Sequence, residues 1–288
     1  MGLNRHSLNI LFELNNLLNK KIIYKNIITI GRQGIHEESI FLKRFFKQKG
    51  LDIEIEGFSF CEKFFKRLGV EQVDSIDYSS FEGCTIVHDM NKSITKPHHN
   101  KYDLVIDGGS LEHIFDVKTS ISNCMNMVKE GGYFISFFPT NNFTNHGFYQ
   151  FSPELFFRCF SEENGFEEGK TYLYFEKKKL NLYELIDPKI LNRRNQFKSN
   201  KYTMGFFISK KIEHRNLIDI NVNQSDYQTR WSKKELTNRK TLNKKIIDRI
   251  KQFLPSNFKK KLLNIYEFIL LIERGFGIID KEGIKKIY

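Results

Sequence analysis

The chain has 288 residues, 40% of them hydrophobic and 28% charged, which is typical of a folded soluble protein with one sizeable domain and an extension or two small domains. Its four cysteines form no Cys-x-x-Cys pair, so neither a zinc-binding cysteine motif nor a disulfide framework is expected, and the thiols fit a reducing cytoplasm. No apolar run reaches the 18 residues that a membrane-spanning helix needs.

The net charge of +12 is concentrated in the last third of the chain. Residues 188–288 hold 24 Lys and Arg against 9 Asp and Glu, whereas residues 1–187 hold 22 against 25. An anionic partner, whether a membrane surface or a nucleic acid, is therefore expected to contact the C-terminal third.

The predicted elements begin with a helix. Apolar residues between Leu8 and Leu18 recur at helical spacing, which predicts an amphipathic helix in residues 1–21 that packs on the main domain, not a secretory signal. Strands and helices then alternate. The predicted strands are short apolar runs at residues 27–30, 73–77, 85–88, 104–106, 133–138, 171–175 and 202–209. The predicted helices have apolar residues at helical spacing and lie at residues 36–49, 58–68, 111–128 and 152–164, with tight turns at residues 31–34 and 129–132.

This alternation predicts a parallel sheet with helices on both faces, within a domain of residues 22–212. Ligands of such sheets bind beyond the carboxyl ends of the strands, so the residues that follow each strand are the informative ones. They are Gly31, Asp77, Asp89, Asp107 and the segment that starts at Pro139.

Residues 213–288 are predicted to form a linker and a basic helical extension, with helices at residues 233–254 and 257–272 separated by Pro255. Three interpretations stay open. The extension is a helical subdomain with solvated lysines, or it lies on an anionic membrane surface, or it contacts nucleic acid. The last is the least favoured, because the chain has no Asn-Pro-Pro-Tyr-like motif of amino-group DNA methyltransferases.

Two stretches give the fold a more specific interpretation: KYDLVIDGGSLEHI at residues 101–114 and VKEGGYFISFFPT at residues 128–140. They resemble the second half of class I S-adenosylmethionine-dependent methyltransferases, in which a strand ends in Asp, a Leu-Glu-His-like step follows and a Lys-x-Gly-Gly turn leads to the next strand. The resemblance covers residues 22–211. It implies a Rossmann-like α/β sheet, mostly parallel with an antiparallel last strand, and S-adenosylmethionine as cofactor.

The resemblance also implies where the cofactor binds. Asp77 stands where the family places the acid that holds the ribose diol, and Asp89 matches the acid near the adenine amino group. Met90 is expected to pack on the adenine ring, and Asp107 with Gly108 is expected to line the same pocket. The alternative for each acid is that it only caps a turn.

The first turn departs from the family, whose Gly-x-Gly-x-Gly loop lets the backbone approach the ligand closely. Here the turn is GRQG, so only Gly31 and Gly34 are assigned to cofactor binding, and 46 residues separate Gly31 from Asp77. Arg32 either meets the methionine carboxylate of the cofactor or lies over the surface. This departure keeps a second hypothesis open, a non-catalytic Rossmann-like module that acts through its basic tail on a membrane or a partner.

The acceptor side is expected in the polar and aromatic segment at residues 139–153, because long loops at strand ends often carry function. His146, flanked by Gly147, is the candidate general base that takes the proton of an acceptor hydroxyl, unless it only orders the loop. The candidate substrate-binding residues are Asn142, Tyr149, Gln150 and His113. No metal site is expected.

The stretches SIDYSSFEG, HDMN and NNFTNHGFYQFSPELF resemble a bacterial group of these enzymes that often accompanies surface-polysaccharide genes. The resemblance implies O-methylation of a sugar or glycan precursor. The thiols and the basic extension predict a cytoplasmic enzyme, either free or peripheral at the inner face of the membrane.

Overall fold

The computed structural model describes residues 2–19, 22, 24–51, 59–175, 179–197, 199–215, 222–225, 227 and 284–287. Its strands are β1 (Gly2–Leu3), β2 (Asn26–Ile30), β3 (Gly34–Ile35), β4 (Gln72–Asp77), β5 (Ile86–Val87), β6 (Tyr102–Gly108), β7 (Val128–Asn141), β8 (Lys170–Phe175), β9 (Tyr183–Leu185), β10 (Thr203–Lys210) and β11 (Ile284–Lys286). Its α-helices are α1 (Arg5–Phe12), α2 (Leu14–Leu17), α3 (Ser39–Gln48), α4 (Glu62–Arg67), α5 (Val117–Met127), α6 (Pro153–Cys159) and α7 (Pro188–Leu191).

Nine of these strands form one sheet in the order β11-β9-β8-β10-β7-β6-β2-β4-β5. The five strands from β7 to β5 are mutually parallel. Strand β10 runs antiparallel between β7 and β8, and β8 and β9 are again antiparallel. The predicted Rossmann-like sheet, mostly parallel in its first half with an antiparallel late strand, is confirmed.

Alternate residues of the central strands point to opposite faces of the sheet, as the period of two in a strand requires. On one face, Ile27 and Ile106 share a buried apolar cluster with residues of α1, α3 and α4. On the other, Ile28 and Val105 share a cluster with residues of α5 and α6. Helices therefore cover both faces, and polar access to the sheet is confined to its edges and strand ends.

Several predicted elements differ in detail. The helix predicted in residues 1–21 is two short helices, α1 and α2, after β1, and the helix predicted at residues 152–164 is α6 followed by a 3-10 turn. The single helix predicted at residues 111–128 is a 3-10 turn at Leu111–His113 followed by α5, which begins where the Asp116 side chain accepts a hydrogen bond from Thr119 N. The predicted turn at residues 129–132 lies inside β7, because that strand already pairs at Val128 and its register on β6 slips before Tyr133. The slip accommodates the left-handed φ of Gly131.

The C-terminal third is described only in part. The helices predicted at residues 233–254 and 257–272 lie outside the described residues. Residues 284–286 form β11, which extends the main sheet by pairing antiparallel with β9, so this part of the predicted helical extension is a strand. Among the residues that the structure describes, no helix is long and apolar enough to span a bilayer.

Candidate active site at the carboxyl edge of the sheet

The carboxyl ends of β2, β4 and β6 meet at one point. Gly31, the first residue after β2, has φ of 71° and donates its N–H to Ile76 O at 2.7 Å. Ser110 Oγ, which follows β6, donates to Ile30 O. The turns after these strands are thus tied to one another by hydrogen bonds at the corner between β2, β4 and β6.

Asp77 ends β4 at this corner. Its carboxylate accepts hydrogen bonds from Tyr78 N at 2.7 Å and, more weakly, from Arg32 N at 3.4 Å. The side chain is partly exposed, so its remaining lone pairs face solvent. The structure therefore places Asp77 against the turn after β2, where the sequence predicts the ribose-binding acid.

The Arg32 side chain is engaged elsewhere. Its Nε donates to Glu62 Oε1 at 2.7 Å, and its guanidinium lies 4.0 Å from the centre of the Phe60 ring. Arg32 thus packs over the surface in this structure, and its contact with a ligand carboxylate stays a prediction.

Gln33 is a site residue that the sequence analysis missed. It is fully buried, and its Nε2 donates to Ile30 O and to Ser110 Oγ. Among the described residues, nothing donates a hydrogen bond to its buried Oε1. That oxygen lies 2.4 Å from the position a Cβ would take on Gly108, so only glycine leaves room for the carboxamide there. The sequence features that could have indicated this contact are the Gln in the turn after β2 and the glycine pair at the end of β6.

Gly34 is not part of this corner. It lies in β3, which pairs in parallel with β1, where Gly34 is opposite Gly2, and it also forms an isolated bridge with Phe60. The second glycine of the GRQG turn thus joins the turn to the N-terminal segment, and its assignment to the cofactor stays a prediction.

Asp107, which is predicted to line the cofactor pocket, lies in the core. Its side chain is completely buried, and its carboxylate accepts from Ser110 N, Leu111 N and Ser136 Oγ. Burial raises its pKa to about 6, against these hydrogen bonds, which favour the charged form. The carboxylate therefore holds the turn after β6 in place, and its assignment to the cofactor stays a prediction.

Asp89 and Met90 also show structural roles. Asp89 Oδ1 accepts from Asn91 N and Asn91 Nδ2, and these hydrogen bonds, with the side chain of Asn91 first, lower the pKa of the carboxyl. Asp89 therefore caps this turn, and its contact with adenine stays a prediction. Met90 is 5% exposed and packs in the core, with Sδ 3.9 Å from Asn123 Nδ2, so it presents no open face to an aromatic ring.

Three predicted substrate-binding side chains instead fix the loop of residues 142–150. Asn142 Nδ2 donates to the carbonyls of Ser199 and Lys201. Tyr149 Oη donates to Phe115 O at 2.7 Å. Gln150 Oε1 accepts from Phe143 N at 2.8 Å, which closes the loop on itself. The polar atoms named here are spent on backbone groups, because a long loop at a sheet edge has many N–H and C=O groups to satisfy.

The same loop is fastened to the turn after β6. Glu112 O accepts from Phe148 N at 2.8 Å and from Tyr149 N at 3.2 Å. A Cβ on Gly147 would lie 2.8 Å from this oxygen, so the close approach requires glycine at that position. As a result His146 lies beside the Leu111–His113 turn.

The predicted histidines and one acid therefore meet in a cluster of Glu112, His113 and His146. The rings of the two histidines are 5.2 Å apart between centroids, and His146 Nε2 is 3.9 Å from Glu112 Oε1. Glu112 is 1% exposed, and burial, followed by the charge of Asp107, raises its pKa to about 8. Burial and the neighbouring His146 lower the pKa of His113. This cluster, with both histidines open to solvent, is the part of the edge that offers groups for proton transfer or ligation.

No protein-family model and no curated protein sequence matches the chain. Among solved structures, it is similar to a methyltransferase from Thermotoga maritima described as a possible histamine N-methyltransferase, with 17% identity, 72% of this chain and 90% of that chain covered, and a TM-score of 0.37. It is also similar to the N-methyltransferase NodS from Bradyrhizobium japonicum WM9 in complex with S-adenosyl-L-homocysteine, with 13% identity, 73% and 89% covered, and a TM-score of 0.40. A third is a SAM-dependent methyltransferase from Archaeoglobus fulgidus, with 14% identity, 71% and 95% covered, and a TM-score of 0.40. The fold assignment rests on the strand order and directions given above.

Proposed function

We propose that the protein is an S-adenosylmethionine-dependent methyltransferase that methylates a hydroxyl group of a sugar or glycan precursor. The observation that carries the proposal is the corner between β2, β4 and β6, where the partly exposed Asp77 lies against the turn after β2 and the buried Oε1 of Gln33 has no hydrogen-bond partner among the described residues. Ligands of parallel α/β sheets bind at this kind of corner.

The residues of the corner fit the cofactor. Asp77 is partly exposed and offers carboxylate oxygens to a ribose diol. The free Oε1 of Gln33 offers an acceptor to the ammonium group of an amino acid, and without such a donor its burial is unfavourable. When bound, S-adenosylmethionine supplies a methyl group activated by a sulfonium.

The acceptor side of the proposal lies at the neighbouring loop. His146 is half exposed and is the candidate base for the hydroxyl proton, because imidazole accepts protons near neutral pH. Beside it, Phe115 and Phe148 form an exposed pair of aromatic rings, 5.8 Å apart between centroids. An exposed apolar surface next to polar groups suits a sugar, which has both apolar ring faces and hydroxyls.

The donor side is tested by calorimetric titration of the full chain with S-adenosylmethionine and S-adenosylhomocysteine. We expect wild-type protein to bind both, and Asp77→Ala to bind at least about 10-fold more weakly, since the ribose diol loses a charged hydrogen-bond partner. Glu167→Ala is the matched control, because Glu167 is an exposed acid that pairs with Lys210. Absence of binding by folded wild-type protein would support the alternative, a non-catalytic module, and equal affinity of Asp77→Ala would remove the assignment of Asp77.

The acceptor is tested in cells that carry or lack the gene. Mass spectrometry of surface glycans is expected to show O-methylated sugars that disappear with the gene and return with the wild-type copy. Unchanged glycan methylation would contradict the acceptor class while leaving the donor site intact.

We also propose that the basic C-terminal third contacts anionic membranes, on the charge of residues 188–288. Co-sedimentation is expected with vesicles that contain phosphatidylserine, and this binding should weaken as salt is added. Equal sedimentation with neutral vesicles, or none with either, would contradict it.

A further inference from the structure

Three side chains of the types that bind transition metals converge at the carboxyl edge. Each of Glu112, His113 and His146 offers one ligand atom, and these atoms all lie within 4.8 Å of one another. The sequence predicted no metal site, because Glu112 and His146 are 34 positions apart and only the folded loop brings them together.

The Glu112 carboxyl is buried and incompletely hydrogen-bonded. It is 1% exposed, and among the described residues its Oε2 has no hydrogen-bond partner. In the part of the chain that the structure describes, the basic side chain nearest to it is His146, whose Nε2 lies 3.9 Å from Glu112 Oε1, beyond hydrogen-bond distance. A buried carboxyl oxygen without a hydrogen-bond partner is unfavourable, and a bound cation is one of the ways proteins compensate it.

Backbone hydrogen bonds hold the loop that carries His146 close to Glu112. Glu112 O receives the N–H groups of Phe148 and Tyr149, and the chain passes so close at Gly147 that a side chain would collide with Glu112 O. The residue next to this contact is His146, so the loop is held where its imidazole faces the carboxyl. Fixed backbone on both sides limits what a ligand must reorganise to bind.

We propose that Glu112, His113 and His146 bind one divalent transition-metal ion. Two imidazoles and one carboxylate form a common ligand set for zinc and for non-haem iron, and three protein ligands leave positions open for water or substrate. Bonds of about 2.1 Å place tetrahedral ligands about 3.4 Å apart. In the structure the ligand atoms lie within 4.8 Å of one another. Because Glu112 is fixed by burial, rotation of the two exposed histidine rings is what shortens these distances on metal binding.

The role of the ion rests on the proposed function. An acceptor hydroxyl that occupies an open position becomes more acidic, because the ion acts as a Lewis acid. Its proton passes to solvent water, its oxygen forms a bond to the methyl carbon, and the carbon–sulfur bond breaks with the electron pair kept by sulfur. His146 Nε2 is then a ligand and not a free base, since one lone pair cannot serve both roles.

The experiment uses the untagged full chain, treated with a chelator and then titrated with Zn²⁺ by calorimetry and with Co²⁺ by visible absorption. We expect one ion per chain and a higher melting temperature with Zn²⁺. His113→Asn and His146→Asn should each weaken binding at least about 10-fold, as expected when a ligand is lost. His99→Asn is the matched control, because it removes an imidazole that contacts Ile94 O and leaves the cluster intact.

Glu112→Gln separates ligation from folding. It should abolish ion binding while leaving the metal-free melting temperature equal or higher, because it replaces a buried carboxyl whose Oε2 lacks a partner by a neutral amide of the same shape. No binding by wild-type protein, equal binding by both histidine variants, or a cobalt spectrum with thiolate charge-transfer bands would overturn the site. Titration of the chelated protein with S-adenosylhomocysteine tests the proposed function separately, so either result can fail without the other.

Discussion

The carboxyl edge of the sheet has two regions that look alike in sequence and differ in structure. Asp77 after β4 is partly exposed and accepts two backbone N–H groups. Asp107 near the end of β6 is fully buried and accepts from two backbone N–H groups and a hydroxyl. The difference lies in the chain that follows each acid. After Asp107 the chain turns at once, through Gly109 with φ of 87°, into a 3-10 turn whose N–H groups need an acceptor, whereas after Asp77 it continues into an exposed loop.

This contrast teaches that an acid at a strand end is available to a ligand only where its own loop does not use it. Substitutions should therefore act mainly on stability after β6 and mainly on ligand binding after β4.

Asp107→Ala should have the largest effect, and it should fall on stability. It leaves Ser110 N, Leu111 N and Ser136 Oγ without their acceptor in the core, which we expect to cost about 4 kcal/mol of unfolding free energy. Urea denaturation measures it. Asp77→Ala is the comparison, with an expected loss under about 1 kcal/mol, and similar losses in the two variants would erase the difference between the regions.

Lys211 lies away from the carboxyl edge, and its buried ammonium group donates hydrogen bonds to backbone carbonyls. It is fully buried, its Nζ donates to Met125 O and Val128 O at 2.8 Å, and burial lowers its pKa to about 8. Between pH 8 and about 10.5 the unfolded chain holds this proton and the folded chain does not, so stability rises with pH across that range. We expect a gain on the order of 3 kcal/mol relative to Lys211→Met. Lys210→Met should follow wild type, and parallel pH curves for wild type and Lys211→Met would contradict the shift.

Gly108→Ala tests the packing at the corner between β2, β4 and β6. The new Cβ would lie 2.4 Å from Gln33 Oε1, so the carboxamide must move, at an expected cost of about 2 kcal/mol. The double variant with Gln33→Ala should lose less than the sum of the two single changes, because the collision is then gone. Additive losses in thermal denaturation would show that the two residues do not share this space.

His146→Ala should have the smallest effect on donor binding. His146 contacts the acceptor-side cluster and none of the groups that flank Asp77, so S-adenosylhomocysteine affinity should stay within about two-fold of wild type. Calorimetry on the two variants gives the comparison with Asp77→Ala. A loss of about 10-fold for His146→Ala would mean that donor and acceptor regions are one site.

Much of the fold could be predicted from the sequence. Short apolar runs separated by helical patterns predict the parallel strands, since burial on both faces requires such runs. Strand β11 could not be predicted, because Ile284–Lys286 is a short edge strand with two lysines and pairing, not apolar pattern, defines it.

The candidate site was harder to predict from the sequence than the fold. The position of Asp77 follows from its strand, but the roles of Asp107, Asn142 and Tyr149 depend on which backbone groups their side chains reach after folding. Likewise, the unpartnered oxygens of Gln33 and Glu112 are properties of three-dimensional packing. Sequence patterns locate strand ends, and hydrogen-bond completion decides which of their side chains remain free.

The pairing of β3 with β1 has a thermodynamic consequence for the turn after β2. Gly34 and Ile35 are held by backbone pairing to Gly2 and Leu3, and Ile35 N also donates to Ser59 O. Glycine-containing loops usually lose conformational entropy when they close on a ligand, but this one has already lost it on folding. A ligand entering the corner should therefore bind with a small entropic penalty and a heat-capacity change set by buried surface alone.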